Sequence, residues 1–168
     1  MELSPLLSDT QLFSLMQTIR QSKRIVICAH RSPDGDAVGS SLGLADYLQT
    51  LGKQVQVILP NPFPDFLRWM PGCHLVQFYL HHERQATRLI EQADLIVCLD
   101  FSQPARLQEM SVAVQRAKAE KVVIDHHLGP DLKLAQQVYC FPNLSSTCEA
   151  VFRIICQLGG FDSLSKAG

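Results

Sequence analysis

The sequence predicts an α/β domain built on a parallel, doubly wound, Rossmann-like β-sheet flanked by helices. Three observations carry this. RIVICAH (24–30), DLIVCLDF (94–101) and KVVIDHH (121–127) are continuous apolar runs, the pattern of strands covered on both faces. They alternate with stretches whose apolar residues recur at helical spacing, as right-handed parallel crossovers require. Each run also ends in polar groups, and parallel sheets bind ligands beyond the carboxyl ends of their strands. Residues 1–160 are read as one domain and 161–168 as the start of an interdomain linker.

In chain order, Asp9 is expected to cap a helix that buries Leu12, Leu15, Met16 and Ile19. Residues 24–30 form the first strand. Residues 37–51 form a helix with Leu42, Ala45, Leu48 and Leu51 on one face, ended by Gly52. QVQVIL (54–59) alternates and is β-branched, so it is a strand. Residues 61–72 carry Pro62, Pro64 and Pro71 and read as an irregular connection with room for one helical turn. HLVQFY (74–79) is a short strand, 82–93 a helix, 94–101 a strand, 104–119 a helix and 121–127 a strand. LAQQVYC (134–140) suits an edge strand. STCEAVFRIICQLGG (146–160) has a Ser/Thr cap, a Glu soon after it and Gly at its end, so it is a helix.

Composition narrows the function. A net charge of −1 provides no field for long nucleic acid or an anionic membrane. No apolar run reaches the length of a membrane span, and MELSPLLSDTQ lacks the basic and apolar regions of a signal peptide. The six Cys contain no C-x-x-C pair and are expected to be reduced packing residues of a cytoplasmic protein.

The polar strand ends are the informative feature. ICAHRSPDGDAVGSS places His30, Asp34 and Asp36 at the mouth of the first buried strand. Asp100 follows the strand at 94–101, and Asp125, His126 and His127 end the strand at 121–127. Taken singly, PDGD is an ordinary turn, Asp100 a strand-end cap and a His pair a surface feature, as His81-His82 and His74 are read here. In a parallel sheet, however, all three strand ends open on one edge. Mixed carboxylate and imidazole donors suit Mn²⁺, Fe²⁺, Co²⁺ or Zn²⁺. Five candidate ligands exceed the needs of one catalytic ion and match two, about 3.5–4 Å apart, clamping a phosphoryl transfer. Asp100, alone on its strand end, is the natural bridge. Ala37, Gly39, Ser40, Ser41 and Gly43 open the next helix, whose free N–H groups are expected to face an anion. His127 could donate a proton to a leaving oxygen.

The stretches AHRSPDGDAVGS, LDFS and VIDHH resemble the DHH phosphoesterase superfamily. The first matches its H-x-x-x-D-x-D motif and the third the Asp-His-His that names it. Within it the chain is most similar to bacterial nano-RNase and 3′-phosphoadenosine-5′-phosphate (pAp) phosphatase-like, RecJ-type proteins, over about residues 23–160. The resemblance implies metal ligands at His30, Asp34, Asp36, Asp100 (bridging) and His126. It makes His127, Asp125 and Asp100 catalytic, with His127 on the substrate phosphate and Asp125 orienting its neighbours. Ser40, Ser145 and Ser146 join His127 as candidate substrate-binding residues. Two Mn²⁺ ions are expected, with Mg²⁺, Co²⁺ or Zn²⁺ compatible.

Two departures stand out. CFPNLSST lacks an acid that many members carry there, leaving a water-rich shell, a weak site or substitution by a group such as Asp131. The family's C-terminal substrate-binding domain also does not follow, so it is expected in cis in a longer protein. The expected activity is Mn²⁺-dependent hydrolysis of short oligoribonucleotides or pAp, with a homodimer left open. The alternatives are a non-catalytic metal- and nucleotide-binding module, a cyclic-dinucleotide phosphodiesterase or a pyrophosphatase of the same superfamily. A plain dinucleotide-binding domain is disfavoured by the absence of G-x-G-x-x-G.

Overall fold

The computed structural model describes residues 4–164. Its six strands are β1 (Arg24–Ala29), β2 (Gln54–Leu59), β3 (Gln77–Phe78), β4 (Leu95–Leu99), β5 (Glu120–Asp125) and β6 (Gln137–Cys140). They form one all-parallel sheet in the order β3-β2-β1-β4-β5-β6. The chain winds outward from β1 through β2 to β3. It then returns to the centre at β4 and winds the other way. The reversal lies between β1 and β4, the position where ligands enter doubly wound sheets.

Side-chain alternation along the strands divides the interior in two. One face of the sheet (Ile25, Ile27, Leu95, Val97, Val122, Ile124) packs against α1 (Asp9–Gln21), α2 (Gly35–Thr50) and α5 (Thr147–Gln157). The other face (Val26, Cys28, Ile96, Cys98, Val123) packs against α3 (Glu83–Gln92) and α4 (Ser111–Arg116). All six thiols are free. None of the described helices is long and apolar enough to cross a membrane.

Several boundaries differ from expectation. Ser8, not Asp9, caps α1, in a reciprocal capping box with Gln11. The helix after β1 starts at Gly35 because Asp34 caps it, its side chain accepting from the N–H groups of Asp36 and Ala37. The expected helix over 104–119 is broken. Pro104–Met110 form 3₁₀ turns, Gln108 sits at φ 50°, ψ −124°, and only Ser111–Arg116 are α-helical. The break turns both Leu107 and Met110 into the core. The strand expected over 74–79 shortens to two residues, since Cys73–Leu75 form a 3₁₀ turn. β6 lies at the sheet edge, as expected. At the chain end, Phe161–Ser163 form a 3₁₀ turn and Leu164 packs on the core; 165–168 of the expected linker lie outside the described residues.

Candidate metal centre

The register builds the site. Ala29 pairs with Leu99, and Leu99 with Ile124. One step further along the three central strands, His30, Asp100 and Asp125 therefore stand side by side at the carboxyl edge.

His30 is buried, and its Nδ1 lies 2.8 Å from the Arg31 carbonyl. A carbonyl can only accept, so Nδ1 carries the proton and Nε2 presents a lone pair, the form a metal ligand needs. That Nε2 lies 3.3 Å from Asp100 Oδ2 and 4.0 Å from Asp34 Oδ1. The Asp100 carboxylate favours the doubly protonated ring, in which Nε2 would donate to it, and so raises the His30 pKa, although burial and the positive charge of Arg106 oppose the shift.

Asp100 is the centre of the arrangement. It is 2% exposed, and its backbone is left-handed at φ 63°, a conformation costly for a non-glycine residue. Its N–H donates to Ile124 O, and the buried Thr147 hydroxyl donates to Oδ1 at 2.9 Å. Oδ1 also lies 3.7 Å from His126 Nε2 and 3.8 Å from His127 Nδ1. Asp100 thus belongs to two groups, His30/Asp34/Asp100 and Asp100/His126/His127, in each of which the donor atoms lie within 4.8 Å of one another. Nitrogen and oxygen donors gathered on both sides of one carboxylate fit a pair of divalent cations.

The remaining residues frame this centre. Asp125 is fully buried, and its Oδ1 accepts from His126 N–H, His127 N–H and His127 Nδ1. Burial pushes its pKa up, but hydrogen bonds from His127 and Ser102 together with the His127 charge hold it below the usual carboxylate value. His127 gives Nδ1–H to Asp125, so its Nε2 takes no part in that bond, and its side chain is half exposed. Asp36 reaches His126 Nε2 at 3.6 Å, yet both its oxygens accept backbone N–H groups at the start of α5, from Cys148 at 2.7 Å and Thr147 at 2.8 Å. The pKa of the Cys148 thiol beside it is pushed up by burial and by Asp36.

Other expectations fare differently. Ser40 is buried and its hydroxyl donates to Asp36 O. Ser146 is the N-cap of α5, accepting from Glu149 N–H, while Ser145 donates its hydroxyl to the Glu149 carboxylate. In the first turn of α2 the N–H groups of Asp36 and Ala37 donate to Asp34 Oδ1 and are not free for an anion. The small residues there have a packing reason: a Cβ on Gly39 would lie 2.9 Å from Cys148 Sγ, so glycine lets α2 and α5 approach. Asp131 stays outside both donor groups, its Oδ1 accepting from Lys133 N–H. Two residues escaped the sequence reading. Thr147 was absorbed into a cap pattern, and Arg106 lies on a segment read as plain helix. A larger cavity of about 570 Å³, lined by Leu42, Gln49, Val57 and Trp69 among others, contains none of the candidate ligands.

The topology and the nitrogen and oxygen donors at its switch point define a doubly wound α/β domain whose site could hold divalent cations. The profile of the DHH family, N-terminal domain, matches residues 24–166, and the chain belongs to that family. It is 30% identical over 138 residues to the bifunctional oligoribonuclease and PAP phosphatase NrnA of Thermus thermophilus, covering 80% of this chain and 37% of that protein. It is 26% identical over 145 residues to the cyclic-di-AMP phosphodiesterase PdeA of Listeria monocytogenes, covering 82% of this chain and 22% of that protein. The crystal structure of an exopolyphosphatase-related protein from Bacteroides fragilis superposes with a TM-score of 0.96 at 42% identity, over 98% of this chain and 48% of that one. The chain spans less than half the length of each of these relatives.

Proposed function

We propose that this domain is the catalytic half of a Mn²⁺-dependent phosphoesterase of the cytoplasm that hydrolyses short oligoribonucleotides or pAp. The observation that carries the reading is the buried Asp100 shared by two nitrogen-and-oxygen donor groups. His30, Asp34, Asp36, Asp100 and His126 are the residues that would hold two ions. Bound there, the ions would polarise the phosphoryl oxygens and supply hydroxide at neutral pH.

The chain's own residues do the rest. Thr147 and the backbone bond to Ile124 fix the Asp100 carboxylate in one orientation. Asp125 orients the His127 ring through Nδ1, which leaves Nε2 to hold a proton for the departing oxygen or to donate to a phosphate oxygen. Near-neutral overall charge favours a short substrate, since grip on long strands relies on many cationic contacts. A C-terminal domain in cis would complete substrate recognition.

The test is a panel on the complete protein with Mn²⁺: RNA of two to five nucleotides, pAp, cyclic di-AMP and pyrophosphate. Release of mononucleotide from short RNA or of phosphate from pAp, lost in Asp100→Asn, is the expected result. Full activity of Asp100→Asn would overturn the reading. Cleavage of cyclic di-AMP alone would move the assignment to the activity for which the Listeria relative is named.

A further inference from the structure

Beside the donor cluster lies a second cavity of about 270 Å³. Asp100, Ser102, Gln103, Arg106, Asp125 and His127 line it. Its wall thus carries two carboxylates of the site and the exposed ring of His127. A phosphate entering there would meet negative charge. Arg106 is the cation of this lining.

We propose that Arg106 binds a non-bridging oxygen of the substrate's phosphate in this cavity, as a specificity-determining residue of the phosphoesterase read above, on which the inference rests. The segment around Arg106 is fixed while its guanidinium is free. The Arg106 carbonyl accepts from Arg31 N–H at 2.8 Å, stitching the loop after β4 to the loop after β1. The Arg106 N–H donates to Gln103 O at 3.0 Å. Two residues on, the left-handed backbone of Gln108 breaks the helix, and the Gln108 side chain accepts from Arg31 Nη1 at 3.4 Å. By contrast, no hydrogen bond or ion pair holds the Arg106 guanidinium among the described residues. An arginine anchoring the fold would have a carboxylate or carbonyl partner. This one lines an open cavity. The planar guanidinium fork matches the spacing of two phosphate oxygens.

The contact exists in the ground state as well as in the transition state, so its loss raises KM more than it lowers kcat. In the full-length protein with Mn²⁺ and pAp, Arg106→Gln should raise KM roughly 10- to 100-fold, the scale of one charge-assisted hydrogen-bonding group. The inhibition constant of inorganic phosphate should rise by a similar factor. Arg106→Lys should recover part of both, and kcat should stay within about threefold. Unchanged KM and phosphate inhibition in Arg106→Gln, or a lysine variant no better than glutamine, would overturn the assignment while leaving the phosphoesterase reading intact. If the wild-type protein hydrolyses no phosphoester, calorimetric titration with inorganic phosphate decides instead. Binding weakened at least about tenfold by Arg106→Gln supports the site. Equal binding, or none to the wild type, sinks it.

Discussion

Asp36 separates two roles that a metal-site reading would merge. Its carboxylate accepts from Cys148 N–H at 2.7 Å and Thr147 N–H at 2.8 Å, joining the first turn of α2 to the start of α5. Each bond from an amide to a carboxylate is worth about 1.5–3 kcal/mol, so Asp36→Ala forgoes about 4–5 kcal/mol in the mid-range. Some of this returns. The side chain is 20% exposed, so water can reach the abandoned amides, and removing one charge relieves repulsion from Asp34 and Asp100 by about 1–2 kcal/mol at an effective dielectric near 20. The net loss is about 2–3 kcal/mol, a Tm lower by roughly 5–10 °C for a chain of this size. Asp36→Asn loses the charge but keeps one acceptor, so it should fall between wild type and alanine. The assay is thermal unfolding in EDTA, where metal plays no part. If the alanine variant melts within about 1 °C of wild type, or if both variants gain stability, relieved repulsion outweighs the two hydrogen bonds and the reasoning fails.

Three further outcomes are expected. Mn²⁺ at about a hundred times its Kd should raise Tm by roughly 5–10 °C over EDTA, because binding to the folded state alone contributes about 2.7 kcal/mol; identical melting curves would argue against a metal centre. Gly160→Ala should lower the urea midpoint by the equivalent of about 2 kcal/mol, since its Cβ would lie 2.2 Å from Cε2 of the buried Tyr47 ring; an unchanged midpoint would show that the ring yields freely. Asp94 accepts from the Arg24 N–H and guanidinium and from the Lys23 N–H, which hold its pKa at about 2. A depressed carboxylate stabilises the fold above its unfolded pKa and loses that contribution as pH falls from about 4 towards 2. Asp94→Asn should therefore be less stable than wild type by about 1 kcal/mol at pH 7, after allowing for the solvent around this partly exposed group, and a gap that fails to narrow in acid would refute the cause.

Much of this was legible in the sequence because the strongest signals were long and local. Continuous apolar runs named the central strands, and their polar ends named His30, Asp34, Asp36, Asp100 and the Asp125–His127 triplet before any register was known. What escaped depends on three-dimensional pairing. Thr147 reads as one more capping residue until α5 is packed against α2 and β5 and its hydroxyl meets Asp100. Ser40 and Ser146 are candidate substrate contacts by type, and the backbone partners of their hydroxyls come from helix geometry. The break at Gln108 has no glycine to announce it, and it is this break that keeps 104–119 from forming the one helix expected. Asp131 has the right chemistry, and a tight turn with Lys133 holds it apart.

The bond between Asp36 and Thr147 spans 111 positions of the chain. A polypeptide made only as far as His127 possesses the DHH triplet and every earlier donor, yet lacks the threonine that steadies Asp100 and the amides that occupy Asp36. The arrangement around Asp100 is therefore completed only when the start of α5 has joined the strands made before it.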